Sequence, residues 1–427
     1  MVSAALFIGM FAFMLLSVPI GMAIGLASIA GILAGATPSL AFIAQTLVTG
    51  VDSFPIMAIP MFILAGDLMG SGGVSRRLLN VANMFFGRVY GGLAIVTVVV
   101  CMFFAAISGS GPATVAAIGT MVVPTMVKKG YSKSFSLAVV ACAGCIGVII
   151  PPSIPMVLFG VATGTSVTGM FMAGFLPGIL IGSTLIAYCY FYSKKQGWKD
   201  HEMQAFSWGE TGKAVWDAKW ALVSPVIILG GIYGGFFTPT EAAAVSAVYA
   251  FICGAFFHRE LGWKVLKESV ARSCVTTAAT MAILGAATAF ARLLTLEQVP
   301  MMLAEFMVSL TDNAIIIMLL MNVFLIIVGM LMDTVPAILI LAPILAPVAA
   351  QFGLNPVHFG LIMVVNLAIG FVTPPVGINL FVASRIGDER LESVVAKALP
   401  MVLLLMICLL LITYIPAISM TLPNLLL

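Results

Sequence analysis

Gly147-Val148-Ile149-Ile150-Pro151-Pro152-Ser153-Ile154-Pro155 interrupts a long apolar run, and Gly370-Phe371-Val372-Thr373-Pro374-Pro375-Val376-Gly377 interrupts another 223 positions later. Proline has no N–H and its ring collides with the preceding turn, so neither run can be one unbroken helix. The shared double proline is not an isolated match. At the same offset Pro124 falls on Pro347, Gly130 on Gly353 and Pro177 on Pro400. Gly and Pro are the strongest backbone punctuation, so agreement at these residues means similar breaks in the chain. With 41 Gly and 22 Pro, one match would be chance. A whole set in one register is a repeat.

Outward from these breaks the chain is apolar almost throughout. Of 427 residues 62% are hydrophobic and only 8% charged, where an ordinary soluble domain has about 25% charged. The net charge is +3. This excludes a soluble enzyme, a disordered tail protein and a nucleic-acid binder. The seven Cys lie mostly inside apolar runs, which excludes a disulfide scaffold. A transmembrane β-barrel would alternate polar and apolar residues in ~10-residue segments. What remains is an all-α polytopic membrane protein. No charge precedes Asp52, so the N-terminus reads as a first span and not as a cleavable signal. The C-terminus has no lipidation box, and no soluble domain is expected. One long polar stretch, Ser193 to Lys219, holds Asp200, His201 and Glu202 and divides the chain into halves 1–210 and 211–427.

Charge gives the halves opposite orientations. Cytoplasmic loops are enriched in Lys and Arg. Arg76, Arg77, Lys128, Lys129, Lys133, Lys194, Lys195 and Lys199 all shift by the offset onto segments without a basic residue. In the other direction, Arg385, Arg390 and Lys397 map back onto an uncharged 162–174. Arg259, Lys264, Lys267 and Arg272 map back onto an uncharged 36–49. Basic loops in one half therefore pair with neutral loops in the other. That is an inverted repeat, an architecture of secondary transporters.

A consistent thread follows. Segments 2–17 and 18–35 are spans, with the N-terminus outside. Span 50–70 leads to an amphipathic arm at 74–88 on the inner surface. Segment 91–127 is a re-entrant hairpin broken at Ser108-Gly109-Ser110-Gly111-Pro112. Segment 133–164 is a broken span and 168–193 returns. The second half has spans 219–237 and 240–257, a basic surface helix 261–272, an exit span 273–291 and an outer arm 298–310. A second hairpin, 313–350, breaks near Met332 to Pro336. Segment 356–385 is the second broken span, and 397–424 ends outside. Every Lys and Arg except Arg292 then faces the cytoplasm.

Irregular backbone at membrane depth is tolerated only where it is buried or lines a cavity. A broken helix frees carbonyls at one half-helix end and amides at the other. Carbonyls suit a hard cation such as Na⁺, and amides at the positive dipole end suit an anion. The spacing predicts two pseudo-symmetric Na⁺ sites. The first uses Ser108, Ser110, Gly147, Ile150 and Pro152. The second uses Asp333, Thr334, Gly370, Thr373 and Pro375. Asp333 is the sharpest signal, because an acid inside an apolar run costs about 3 kcal/mol; a helix cap for Thr334–Pro336 is the bland reading. Ser153 and Asn379, just past each Pro-Pro, are the candidate contacts for an organic anion.

Other polar residues carry less. Arg292 reads as well as a snorkelling side chain at the outer interface as it does as an acid clamp, and is left outside the site. His258 and His358 stand near span ends and His201 in the linker, none with a metal-ligand partner at useful spacing. Cys142-Ala143-Gly144-Cys145 spells CxxC, but inside an apolar helix it reads as small-residue packing.

The same residues resemble the large membrane subunit, of DctM type, of the tripartite ATP-independent periplasmic (TRAP) transporters. The carriers are Ser108 to Pro112, Gly147 to Pro155, Phe237-Thr238-Pro239-Thr240-Glu241-Ala242-Ala243-Ala244, and Gly370 to Gly377. The resemblance covers essentially the whole chain. It implies a Na⁺-coupled importer of organic acids such as C4-dicarboxylates, keto acids or sialic acid, with a lean toward the sialic acid system. It implies an elevator mechanism in the bacterial inner membrane. It also implies a small four-helix membrane subunit as a separate chain and a soluble periplasmic substrate-binding protein. Glu241 lies in a family motif, and its bland reading is a helix cap.

Two competitors remain. One is a self-sufficient Na⁺/organic-anion symporter that needs no binding protein. The other is an intramembrane enzyme, disfavoured because there is no HExxH helix and no GxSG motif, and because Asp67 and Asp333 form no GxGD pair.

Overall fold

The structure is a computed structural model describing residues 2–35, 38–199, 207–311 and 313–427. The linker residues Asp200, His201 and Glu202 lie outside the described residues. All regular structure among the described residues is helical. Among the described residues seven helices are long and apolar enough to cross a membrane, and an eighth forms if one bent pair counts as a span.

The first half begins with α1 (Val2–Leu15), α2 (Ile20–Leu33) and α3 (Leu40–Thr49). A 3-10 turn at Phe54–Met57 leads into α4 (Ala58–Ser71), and α5 (Val74–Phe86) is the arm. Then come α6 (Gly92–Ser108), α7 (Gly111–Lys128), α8 (Lys133–Gly144), α9 (Ile154–Thr163) and α10 (Val167–Gln196). Helix α11 (Trp208–Asp217) meets α12 (Lys219–Tyr233) at a bend of 59°. The second half continues with α13 (Pro239–Ile252), α14 (Trp263–Leu296), α15 (Val299–Leu310), α16 (Ala314–Leu331) and α17 (Thr334–Gln351). It closes with α18 (Pro356–Gly370), α19 (Ile378–Gly387), α20 (Leu391–Tyr414) and α21 (Ala417–Leu426).

Some boundaries differ from the sequence reading, each for a local reason. The surface helix 261–272 and exit span 273–291 are one helix, α14. The change from charged to apolar sequence at Ser273 is not a helix breaker. The Ser273 hydroxyl bonds back to the Ser269 carbonyl at 2.9 Å, inside the same helix. Segment 397–424 is two helices, because Pro416 stops α20 at Tyr414. Residues 40–49, unassigned in the sequence thread, form α3.

Shifted by 223, α7 becomes 334–351, the bounds of α17, and α6 becomes 315–331, one residue inside α16. The contacts between halves are reciprocal. Helix α7 packs on α19 and α17 on α9; α4 packs on α13 and α14 on α2; α8 packs on α20 and α18 on α10. One continuous core of buried side chains runs through both halves, with a smaller cluster where α1 and α2 meet α14 and α17.

Polar groups inside the bundle are largely paired, as apolar surroundings require. Asn322 donates to Thr413 Oγ1 at 3.1 Å, Asn366 donates to Asn322 Oδ1 at 2.8 Å, and His358 Nδ1 lies 2.6 Å from Ser419 Oγ. These bonds tie α16, α18, α20 and α21. On the basic side, Glu260 pairs with Arg76 at 2.6 Å and Arg77 at 2.8 Å, fastening the arm α5 to the connection between α13 and α14. Cys142 and Cys145 are buried free thiols.

Candidate functional site

The first hairpin turns within three residues. Helix α6 ends at Ser108, Gly109 takes a left-handed φ of 59°, and Ser110 is the N-cap of α7, with Pro112 in its first turn. Proline suits that turn because the amide it lacks has no helical partner there. Ser108 Oγ lies 2.9 Å from Thr114 Oγ1 and 3.4 Å from the Ser110 carbonyl, to which Thr114 donates at 2.8 Å. Three hard oxygens therefore converge at a buried turn.

The broken span closes this cluster. After α8 the chain tightens into a 3-10 turn, Cys145–Val148, before the Pro-Pro. A Cβ on Gly147 would stand 2.7 Å from both the Ser110 carbonyl oxygen and Thr114 Oγ1. The backbone of the break thus lies directly on the hairpin tip, and only glycine permits that approach. Ile154 N donates to the Gly109 carbonyl at 3.5 Å, and a Cβ on Gly109 would meet the Pro152 carbonyl at 2.9 Å. Ser108, Ser110, Gly147 and Pro152 are therefore neighbours. The Ile150 side chain packs against Gly178 of α10.

In the second half Asp333 is the N-cap of α17, at the positive end of that helix, and its Oδ1 accepts from Thr334 Oγ1 at 3.1 Å. Gly370 sits backbone to backbone against Gly329 of α16. The Thr373 hydroxyl turns back to the Ile369 carbonyl at 2.7 Å, and Pro375 is exposed. Asp333 and Thr334 thus share a wall with Phe371, just past Gly370, while Thr373 and Pro375 are directed elsewhere.

The two hairpin tips meet. A cavity of about 120 Å³ is lined by Gly109 to Pro112 of the first tip and Asp333 to Val335 of the second, with Thr276 and Thr280 of α14 opposite. A larger crevice, about 470 Å³, runs between α4 and α14 on one wall and α6 and α7 on the other. It shares Ile63, Ser110, Ile154 and Thr276 with the cavity and reaches Asp67 and Arg272. Asp67 accepts from Ser273 at 2.7 Å, and Arg272 donates to Ser71 at 3.1 Å.

The two expected anion contacts face inward instead. Ser153 Oγ is buried and donates to the Val148 carbonyl at 2.6 Å, which folds the break. Asn379 is buried and donates to the Ala141 carbonyl at 3.2 Å, joining the second break to α8. Neither is among the residues lining the cavity. Four residues were not singled out as site residues: Thr276 and Thr280, which line the cavity, Asp67 in the crevice, and Thr114 in the hairpin turn. Asp67 carried the same signal as Asp333, an acid in an apolar run. Among the described residues no group of three His, Cys, Asp or Glu converges. Hydroxyl and carbonyl oxygens of this kind are hard ligands and suit a hard cation.

Comparison with known proteins gives a consistent picture. The profile of the family described as tripartite ATP-independent periplasmic transporter, DctM component, matches residues 7–418. The isethionate TRAP transporter permease protein DctMQ of Oleidesulfovibrio alaskensis is 51% identical over 412 residues, covering 96% of this chain. This chain spans 64% of that longer relative. The C4-dicarboxylate TRAP transporter large permease protein DctM of Vibrio cholerae is 42% identical, covering 100% of this chain and 98% of that one. The sialic acid TRAP transporter large permease protein SiaM of Vibrio cholerae is 35% identical, covering 95% of each. In fold alone, the chain is similar to the Alcanivorax borkumensis YdaH transporter, with a TM-score of 0.63 at 16% identity over 88% of each chain. The chain belongs to the DctM-component family of tripartite ATP-independent periplasmic transporters and is a multi-pass permease of the bacterial inner membrane, not an enzyme.

Proposed function

We propose that this permease imports a small organic acid by Na⁺ symport, with the hairpins and broken spans moving as an elevator against a scaffold that includes α4 and α14. The observation that carries this reading is the meeting of both hairpin tips at one cavity, continuous with a crevice reaching Arg272 on the basic, cytoplasmic side. The reciprocal contacts between halves support a pseudo-two-fold relation, since exchanging equivalent partners is what a two-fold interface does. The opposite charge of equivalent loops supports placing that axis in the membrane plane.

Co-transported Na⁺ is assigned to Ser108, Thr114, Ser110 and Gly147 in the first half, and to Asp333 and Thr334 in the second. Ile150, Pro152, Thr373 and Pro375 enter through backbone carbonyls of the two breaks, and Gly370 through the second lone pair of a carbonyl to which Thr373 N already donates at 3.1 Å. The acid is assigned to the cavity between the tips, at the positive N-terminal ends of α7 and α17. Ser153 and Asn379 are assigned to shaping the breaks. A cavity of about 120 Å³ suits an acid of a few carbons better than a bulky sugar acid. Isethionate and C4-dicarboxylates, transported by relatives, are therefore preferred to sialic acid. A separate small membrane subunit and a periplasmic binding protein complete the system.

The test is uptake into proteoliposomes containing this chain and its small partner, with an inward Na⁺ gradient and labelled isethionate, succinate or sialic acid. Accumulation that requires both Na⁺ and the binding protein is expected. Uptake of free acid without a binding protein would establish a self-sufficient symporter instead.

A further inference from the structure

A second crevice, about 370 Å³, lies between α3 and α14 on one wall and α9 and α17 on the other, and its Arg292 stands about 30 Å further along α14 than Arg272 of the inner one. It is the repeat's counterpart of the inner crevice. At the 223 offset its Thr49, Ser53, Leu339 and Pro343 correspond to Arg272, Thr276, Ala116 and Thr120 of the inner crevice. At Ser53 and Val161 it meets a further hollow of about 450 Å³, bordered by Thr238, Pro239 and Thr240 of the TPTE motif. Glu241 of that motif is occupied as a helix cap: Thr238 N and Oγ1 both donate to Glu241 Oε2 at 2.8 Å.

The chemistry of this crevice differs from that of its counterpart. The inner one holds Asp67 beside Arg272, and Arg272 is bonded to Ser71 and Ser269. The outer one holds Arg292, the hydroxyls of Thr49, Ser53, Thr288 and Thr295, and no acid. Among the described residues Arg292 makes no ion pair or hydrogen bond. A guanidinium with free donors among hydroxyls recognises a carboxylate or sulfonate.

We propose that the outer crevice is the capture site for the substrate's acid group, with Arg292 as its cationic contact. The inference rests on the transport reading above. Exchanging the conformations of the two halves adds a second element. Thr276 now lines both the inner crevice and the central cavity. In the exchanged, outward-facing conformer its counterpart Ser53 takes that place. Arg292 then stands on the path from outside to the cavity.

Two readouts test this. In proteoliposomes with the small partner and binding protein, Arg292→Gln is expected to raise the half-saturating concentration of labelled isethionate or succinate at least tenfold. The half-saturating Na⁺ concentration stays unchanged, and Arg292→Lys recovers most of the affinity. An unchanged half-saturation in a well-folded Arg292→Gln protein overturns the assignment. Independently of transport, Thr288→Cys in a Cys274→Ser background is expected to react with a membrane-impermeant maleimide added from outside, and to be protected by the acid. Reaction from the cytoplasmic side alone also overturns it. If free acid is taken up without a binding protein while Arg292→Gln still weakens affinity, the partner reading fails and this one stands.

Discussion

Asp333 is the residue on which the coupling assignment depends most. A carboxylate within an apolar segment costs about 2.5 to 3.5 kcal/mol at the centre of a span, and here it stands at a helix start on the cavity wall. Asp333→Asn keeps the shape and removes the charge. It is expected to abolish Na⁺-driven uptake while the protein still purifies as a monodisperse complex. Retained Na⁺ dependence in that variant would remove Asp333 from the second site. Thr114 makes the matching test in the first half. Thr114→Val deletes the hydroxyl that bonds Ser108 and Ser110. The half-saturating Na⁺ concentration is expected to rise about tenfold, equivalent to about 1.4 kcal/mol. Thr125→Val, on the same helix with its hydroxyl bonded to the Met121 carbonyl, serves as the control. Asp333 was legible in the sequence because charge inside an apolar run stands out. Thr114 was not, because a threonine one turn inside a helix has no signature until the turn before it closes and brings Ser108 within 2.9 Å.

At the scale of elements, backbone breaks were legible and side-chain surroundings were not. Proline and glycine act through their own covalent geometry, so Pro151-Pro152 and Pro374-Pro375 end helices wherever the neighbours lie. What Ser153 and Asn379 face depends on packing. Each bonds a backbone carbonyl, in the break or across to α8, and so turns from the cavity. The long α14 was misjudged because charge marks the membrane surface and not the end of a helix. Helix–helix approach gives a test at this scale. Gly329 and Gly370 bring α16 and α18 into backbone contact, and a Cβ on Gly370 would overlap the Gly329 backbone. Gly370→Ala is expected to cost about 1 to 3 kcal/mol, seen as a lower melting temperature in detergent. Gly230→Ala in α12, where an added Cβ meets nothing within 4 Å, should leave that temperature unchanged or raise it slightly, since alanine favours helix. Equal effects of the two substitutions would show that close approach is not what Gly370 provides.

At the scale of the molecule, the inverted repeat proposed above is a claim about sidedness, and sidedness can be tested. Reciprocal packing of α7 on α19 and α17 on α9 is compatible with any two-fold axis. The loop charges are what argue for an axis in the membrane plane, because parallel halves would carry their Lys and Arg on equivalent loops. Equivalent positions must then lie on opposite sides of the bilayer. Gly130 and Gly353 are such a pair, each in the turn that follows a hairpin, and an added Cβ meets nothing within 4 Å at either. Both have left-handed backbone, with φ of 85° and 77°, so the neighbours Lys129 and Phe352 are the better positions for cysteine. In a Cys274→Ser background, Lys129→Cys is expected to react with an impermeant maleimide only from the cytoplasmic face, and Phe352→Cys only from the outer face. Both reacting from one side would make the halves parallel. The outer crevice would then lose its status as counterpart of the inner one, and the elevator reading would lose the symmetry that gives it two related end states.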